Sequence, residues 1–355
     1  MNTERVMARV VTIDNVERHP NADALDICTV GGWNIVTKIG EYKTGDLAVM
    51  CEIDSWVPHE LAPFLSKGKE PREYRGVKGE RLRTAKLRGV VSQGLLLQFT
   101  ETLAAYAKDY DDEGQPFWMG PEDFFQVGDD VSEVLNIQKW EPEIPAQLAG
   151  QVRGNFPSQI PKTDQPRIQN LKKELSIVQH KGLQFAIEEK LEGSSLTMYL
   201  DIEDEFHVCS RNLDLKNDGA NSFWRAAIKY DVENIMRQNN LQGYAIQAEL
   251  LGPGIQANIY QLNDAEFYVF DVYSVKQARY LYPAERRELI ATLGLNQVPV
   301  VCESTTLGTM EEIIALADGK SMLYNTLREG IVFKQLDGDM TFKSISQQYL
   351  IKTGN

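Results

Sequence analysis

The sequence predicts an α+β protein in two domains, and three observations predict it. The chain has 355 residues, more than the ~100–200 of a usual single domain. Its first hundred residues read as closely spaced short strands separated by Gly-rich turns. After residue 156, strands and helices mix without regular β–α alternation. Between these parts the character changes: in 101–150 twelve acidic residues face only Lys108 and Lys139, and Pro116, Pro121, Pro142 and Pro145 interrupt the segment. The expected division is a small β-barrel over 1–100, an acidic connector with little regular structure over 101–155, and an α+β domain over 156–355.

In the first part, residues 6–13 alternate, Leu25–Val30 follows, and 34–39 and 47–53 come after turns. Residues 86–97 would close the barrel, which makes it OB-like, with the preceding loop on the face where such barrels hold nucleic acid. That loop is basic. From 66 to 88, nine Lys and Arg stand against Glu70, Glu73 and Glu80, a net of +6. Lys78, Arg81, Arg83, Lys86 and Arg88 are the candidate nucleic-acid contacts, although a solvated loop would account for the run equally. In the second part, 185–200 gives two strand-like halves and 206–211 another strand. A helix is expected over 222–239 with Trp224, Ile228, Ile235 and Met236 on one face. Further strands are expected at 245–251, 266–273, 329–334 and 340–344, and helices at 283–293 and 310–317.

Composition narrows the class. With 43% hydrophobic and 25% charged residues the chain reads as an ordinary globular protein, and apolar runs such as 94–99 are too short to span a bilayer. The N-terminus lacks the apolar core and cleavage site of a signal peptide, so a cytosolic location is expected, with no membrane partner. A net charge of −14 argues against broad adhesion to nucleic acid and leaves the basic loop as a local exception. Cys28, Cys51, Cys209 and Cys302 form no CxxC pair, and no His completes a zinc spacing around them, so reduced thiols are expected.

The chemistry concentrates around Lys190, in Glu188-Glu189-Lys190-Leu191-Glu192-Gly193-Ser194-Ser195. A lysine beside a turn would be ordinary alone. An ordered series follows it: Ser210-Arg211; Gln247-Ala248-Glu249-Leu250-Leu251-Gly252; Phe267-Tyr268-Val269-Phe270-Asp271; Glu329-Gly330-Ile331-Val332-Phe333-Lys334; and Phe342-Lys343-Ser344. This series, over 156–350, resembles the nucleotidyltransferase motifs of covalent polynucleotide ligases and mRNA capping enzymes. The lead-in Pro161-Lys162-Thr163-Asp164-Gln165-Pro166-Arg167-Ile168-Gln169-Asn170 is similar to that of RNA ligases. Residues 81–89 and 92–95 resemble the branch whose OB domain precedes the catalytic domain and which seals 3'-OH and 5'-phosphate ends. Two positions depart from the pattern: Glu192 stands where motif I usually has Asp, and motif V keeps only Lys343 because Thr341 replaces a first lysine. Ser195 stands where DNA ligases tend to have Arg, which favours the RNA-ligase branch.

The resemblance implies an ATP-dependent RNA ligase that carries AMP on Lys190, with RNA ends or a nicked duplex as substrate and Mg2+ or Mn2+ as cofactor. Lys190 would have to lose its proton, far below the ~10.4 of a free lysine. Lys334, Lys343 and a metal converging on the phosphates are expected to lower its pKa. Glu192, Glu249 and Glu329 would oppose this unless they hold the metal. Glu188 is implied as the adenine-selecting acceptor. Phe270, alternating with Tyr268, is either a stacking ring or a core aromatic. Arg167, Gln169 and Arg211 are implied in binding nucleotide or RNA, and Asp164 and Asp271 are left as structural. The competing readings are an ATP-dependent DNA ligase or capping-type nucleotidyltransferase, and a non-catalytic RNA-binding OB protein. The last is suggested by His19-Pro20-Asn21-Ala22-Asp23-Ala24-Leu25, similar to the opening of tRNA-binding OB modules. A monomer is expected.

Overall fold

The computed structural model describes residues 5–110, 116–118, 120–141, 150–201, 203–217, 219 and 221–353. Parts of the expected acidic connector, 111–115 and 142–149, lie outside the described residues. The chain forms two compact units, residues 1–142 with 350–355, and residues 143–349.

In the first unit, Ala8–Thr12, Leu47–Cys51 and Leu95–Gln98 form a three-stranded antiparallel sheet with Leu47–Cys51 at its centre. Asn15–Arg18, Leu25–Val30 and Trp33–Lys38 form a second. Strand periodicity sends Cys28, Val30, Trp33 and Ile35 inward, where they meet Val11, Ile13, Ala48, Met50 and Leu96 in one core. The opposite face of the first sheet, Ala8, Val10, Val49, Cys51 and Leu97, is covered by Phe99, Leu103, Val131, Leu135 and Ile137. Burial on both faces explains why 47–51 and 95–97 read as continuous apolar runs. It also means that the acidic stretch contributes core: its apolar residues pack inward while Glu122, Asp123, Asp129, Asp130 and Glu133 stay exposed. Gln138–Lys139 then pairs with Ser55–Pro58.

The second unit carries a seven-stranded and a four-stranded sheet. The larger is built on Ser194–Leu200, Tyr244–Leu251 and Glu266–Ser274, with Val152–Asn155 on its edge. The smaller orders Val300–Thr305, Phe185–Lys190, Gly330–Gln335 and Thr341–Ile345. The helix expected over 222–239 is two helices, Ser222–Lys229 and Val232–Gln238, because Asp231 adopts a left-handed φ of 52° between them. The first helix buries Phe223, Trp224, Ala226 and Ala227, and this face leaves Ile228 outward, 57% exposed, instead of in the core. No helix among the described residues is long and apolar enough to cross a membrane. All four cysteines are free.

Leu135 is 2% exposed within the first unit's core. Leu135→Ala should therefore destabilise that unit by about 2–4 kcal/mol, as cavity-forming truncations do. Urea denaturation of the full chain checks it, and a loss below ~0.5 kcal/mol would contradict the packing of this segment.

Candidate active site

Strand pairing decides which side chains meet. Along Phe185–Lys190 successive side chains point to opposite faces. Phe185 and Ile187 join Ile331, Phe333 and Phe342 in a buried cluster. Glu188 and Lys190 therefore occupy the other face. The register aligns Ala186 with Lys334, Glu188 with Val332 and Lys190 with Gly330, and Val332 in turn with Lys343. One sheet face thus presents Glu188, Lys190, Lys334 and Lys343. The two glycines here are fixed by close approach. A Cβ on Gly193 would lie 2.4 Å from the Leu250 carbonyl, and one on Gly330 would lie 2.3 Å from the Ser344 carbonyl.

Tyr244–Leu251 turns Ala248 and Leu250 into its own core and Gln247 and Glu249 to the opposite face. Its partner strand bulges. Gln247 pairs with Asp271 but Ala248 pairs with Val269, leaving Phe270 as the extra residue. Phe270 keeps the expected face with Tyr268, both packing against the cluster of Leu191, Leu251, Tyr260 and Val298, and the bulge shifts the alternation only after it, re-aiming Asp271 away from the core that takes Val269 and Val272.

Carboxylates dominate around the lysine. Lys190 Nζ donates to Glu329 Oε2 at 2.7 Å. Burial works to lower the Lys190 pKa, but Glu329 and Glu249 outweigh it and hold the ammonium above its ordinary value, against Arg167. The expected depression by Lys334 and Lys343 is absent because those lysines face other carboxylates. Lys334 lies 2.5 Å from Asp271 and 3.4 Å from Glu188, and Lys343 lies 3.4 Å from Asp164. Glu249 is pushed up to about 7 by burial and Glu329, with Lys190 and Arg211 opposing. Burial and then Glu329 also raise Glu192, whose Oε2 is buried without a hydrogen-bond partner. Crowded carboxyls raised by burial and mutual repulsion are a donor set suited to a hard divalent cation, so these residues fit Mg2+ or Mn2+. They are not gathered for direct three-ligand binding. Among the described residues, only Asp201, Glu205 and His207 offer three ligand atoms within 4.8 Å of one another, and that group was not anticipated.

Glu188 is 1% exposed. Burial favours its neutral form, but Lys334 and Arg286 overcome this and hold its pKa below the usual carboxylate value. Arg286, on the helix Pro283–Leu293, engages both Glu188 oxygens and was missed in the sequence. Asp164, left as structural, is a counter-ion shared by Arg211 at 3.1 Å and Lys343 at 3.4 Å. Arg167 is bridged to Lys343 through the backbone, and Gln169 is buried in the adjoining turn Ile168–Asn170. Glu189 points to the core side, where it accepts from the Met322 amide at 2.7 Å. Tyr260 was also missed: its hydroxyl accepts from the Glu192 amide at 2.7 Å, pinning the turn after Lys190.

In the first unit the basic candidates divide. Arg81 pairs with Asp54 at 2.6 Å and stacks on Trp140 at 3.9 Å, while Lys78 pairs with Glu70 at 3.1 Å. Arg83, Lys86 and Arg88 are exposed and make no ion pair with a described residue. Lys86 and Arg88 sit on a hairpin, Ala85–Leu87 against Val90–Ser92. His19 Nε2 meets the Leu87 carbonyl at 3.1 Å, and Asn21 Nδ2 donates to the Arg88 carbonyl at 3.0 Å. The segment likened to tRNA-binding modules braces this hairpin.

A pH signature follows from Glu249. In the folded chain its carboxyl titrates near 7, whereas unfolded it titrates near ~4.3. Without metal, its deprotonation therefore costs the folded state stability as pH rises between those values. Urea melts from about pH 5 to pH 8 should show wild type losing stability relative to Glu249→Gln, with Mg2+ shrinking the gap. Parallel curves would contradict the crowding of carboxyls.

Comparison with known proteins places the site in a family. The RNA ligase family model matches residues 183–352, and an OB-fold domain model matches residues 7–99. Among solved structures, an apo mutant of Naegleria gruberi RNA ligase aligns with a TM-score of 0.85 at 39% identity, covering 98% of this chain and 97% of that one. A mutant of the same ligase with ATP and Mn also aligns at 0.85 and 39%, covering 99% and 100%. The ligase with PPi aligns at 0.84 and 40%, covering 98% of each. No match was found among curated proteins. With the OB-fold ahead of the ligase domain, and a likeness that spans nearly its whole length, the chain belongs to the RNA ligase family.

Proposed function

We infer that the chain is an ATP-dependent RNA ligase that joins 3'-OH and 5'-phosphate RNA ends through AMP carried on Lys190 and then on the 5' end. One observation carries the residue assignment: Lys190 shares a sheet face with Lys334 and Lys343 while meeting Glu329 and Glu249. The relatives with ATP and Mn support the nucleotide and the divalent metal.

In this reading Lys190 Nζ attacks the α-phosphorus of ATP and pyrophosphate leaves. A 5'-phosphate oxygen of RNA then takes the AMP and frees the lysine. A 3'-OH finally attacks the adenylated end, releasing AMP. Glu192, Glu249 and Glu329 would hold Mg2+ or Mn2+, directly or through waters, which would supply positive charge against the carboxylates and phosphates. Freed from Glu329 and Glu249, the Lys190 amine would lose the interactions that favour its proton, and burial would then favour the neutral nucleophile. Lys334 and Lys343 turn from Asp271 and Asp164 to the phosphates, with Arg211 and Arg167 beside them. Gln169 helps fix the nucleotide. Glu188 accepts from the adenine amino group and Phe270 stacks on the base.

Residues 1–100 hold RNA and 156–355 carry the chemistry, with 101–155 between them. A cytosolic monomer is the proposed working form. The nucleic-acid contact is assigned to Arg83, Lys86 and Arg88, with smaller parts for Lys78 and Arg81, whose charges already meet carboxylates.

Sealing of a nicked RNA duplex with ATP and Mg2+ or Mn2+ tests the reading. Lys190→Ala should abolish it but still seal a pre-adenylated end; ATP-dependent sealing by that variant would refute the nucleophile. Ala at Glu192, Glu249 or Glu329 should slow adduct formation by roughly 10²–10³-fold at saturating ATP. Preference for DNA ends, or for GTP, would return the ligase and capping alternatives. Finally, reversing Lys86 and Arg88 should leave AMP loading intact while weakening sealing, and should lower the log–log salt slope by about 0.7–0.9 for each phosphate no longer neutralised. An unchanged slope would remove RNA from this hairpin.

A further inference from the structure

Arg286 is 1% exposed, among the largest fully buried side chains described. On the same helix Glu285 and Glu288 are exposed, so the burial of Arg286 comes from what it meets across the fold. Its guanidinium donates to both oxygens of Glu188, 3.0 Å from Nη1 to Oε2, and to the Phe270 carbonyl at the β-bulge. Lys334 donates to the same carbonyl and to Asp271. Two cations and two carboxylates therefore form a buried, neutral quartet around the two residues read as adenine contacts.

On the reading that Glu188 and Phe270 contact adenine, we propose that Arg286 is a positioning residue for base selection. It clamps the Glu188 carboxylate and the Phe270 carbonyl into one frame, so that acceptor edge and stacking ring keep a fixed relation. A carboxylate has about four lone-pair sites. Arg286 takes two and Lys334 one, leaving an acceptor for an amino group. An ionised carboxylate accepts only, so it welcomes the amino group of adenine and repels the carbonyl that guanine carries there. When Lys334 turns to a phosphate, the paired donors of Arg286 remain and keep Glu188 charged and oriented in a buried setting. A lysine in place of Arg286 would keep the charge but lose the fork. No described hydrogen bond or ion pair joins Arg286 to Lys190, so base recognition should suffer more than the chemical step.

The test uses the full chain, with Arg286→Lys, Arg286→Met and Glu188→Gln measured beside wild type. Initial rates of AMP and GMP adduct formation are read by intact mass over a range of ATP or GTP, on protein shown by thermal melting to be folded. Glu188→Gln and Arg286→Met should each cut the ATP-over-GTP preference by about tenfold or more. The loss should appear mainly as a higher KM for ATP, with kcat falling less than about threefold. Arg286→Lys should fall between wild type and Arg286→Met. If Glu188→Gln shifts the preference while folded Arg286 variants keep the wild-type ratio, Arg286 does not position the base contacts. If Glu188→Gln itself leaves the ratio unchanged, Glu188 does not read the base and both assignments fall. Should Arg286→Met fail to fold, the ratio for Arg286→Lys decides.

Discussion

The pairing register of Phe185–Lys190 is the constraint on which the site depends. Because this strand runs between Val300–Thr305 and Gly330–Gln335, its side chains have two destinations, and a slip of one residue would exchange them. In the observed register Phe185 and Ile187 are locked into a cluster with Phe333 and Phe342, whose rings stack at 4.7 Å. The apolar side therefore holds Glu188, Lys190, Lys334 and Lys343 on the other face. Neither a helix nor a loop supplies these four groups, so their spacing inherits the rigidity of a sheet.

The charges on that face are paired off within the protein. Each lysine has a carboxylate: Glu329 for Lys190, Asp271 with Glu188 for Lys334, and Asp164 for Lys343. The same pairing that makes burial tolerable keeps Lys190 protonated. In the proposed reading, a ligand bringing phosphates and a divalent cation would invert both terms at once, offering the lysines phosphates and the carboxylates a metal. Arg286 differs in holding both Glu188 oxygens and the Phe270 carbonyl, and in the proposed reading it would stay when the lysines move.

The strands were legible because period-two alternation and Gly turns are local signals, and Leu25–Val30 was read to the residue. Leu95–Gln98 was legible as an apolar segment closing the barrel, but its burial on both faces was not. What failed was non-local or non-periodic. A left-handed Asp231 has no signature in a helical pattern, and the bulge at Phe270 depends on pairing rather than composition. Arg286 lies in Glu285-Arg286-Arg287-Glu288, indistinguishable by sequence from a solvated face, and its partner Glu188 is 98 residues away. The basic segment was legible as charge, but its division into paired and unpaired residues required Asp54, Trp140 and Glu70 in space.

In the proposed reading, Lys190 becomes a nucleophile only when its carboxylate partners are drawn away. Mass mapping of the covalent adduct after incubation with ATP, with and without Mg2+ or Mn2+, tests it most directly. One AMP is expected, on the peptide containing Lys190, forming with the metal and failing without it. An adduct on Lys334 or Lys343, or equal loading in metal-free buffer, would contradict it.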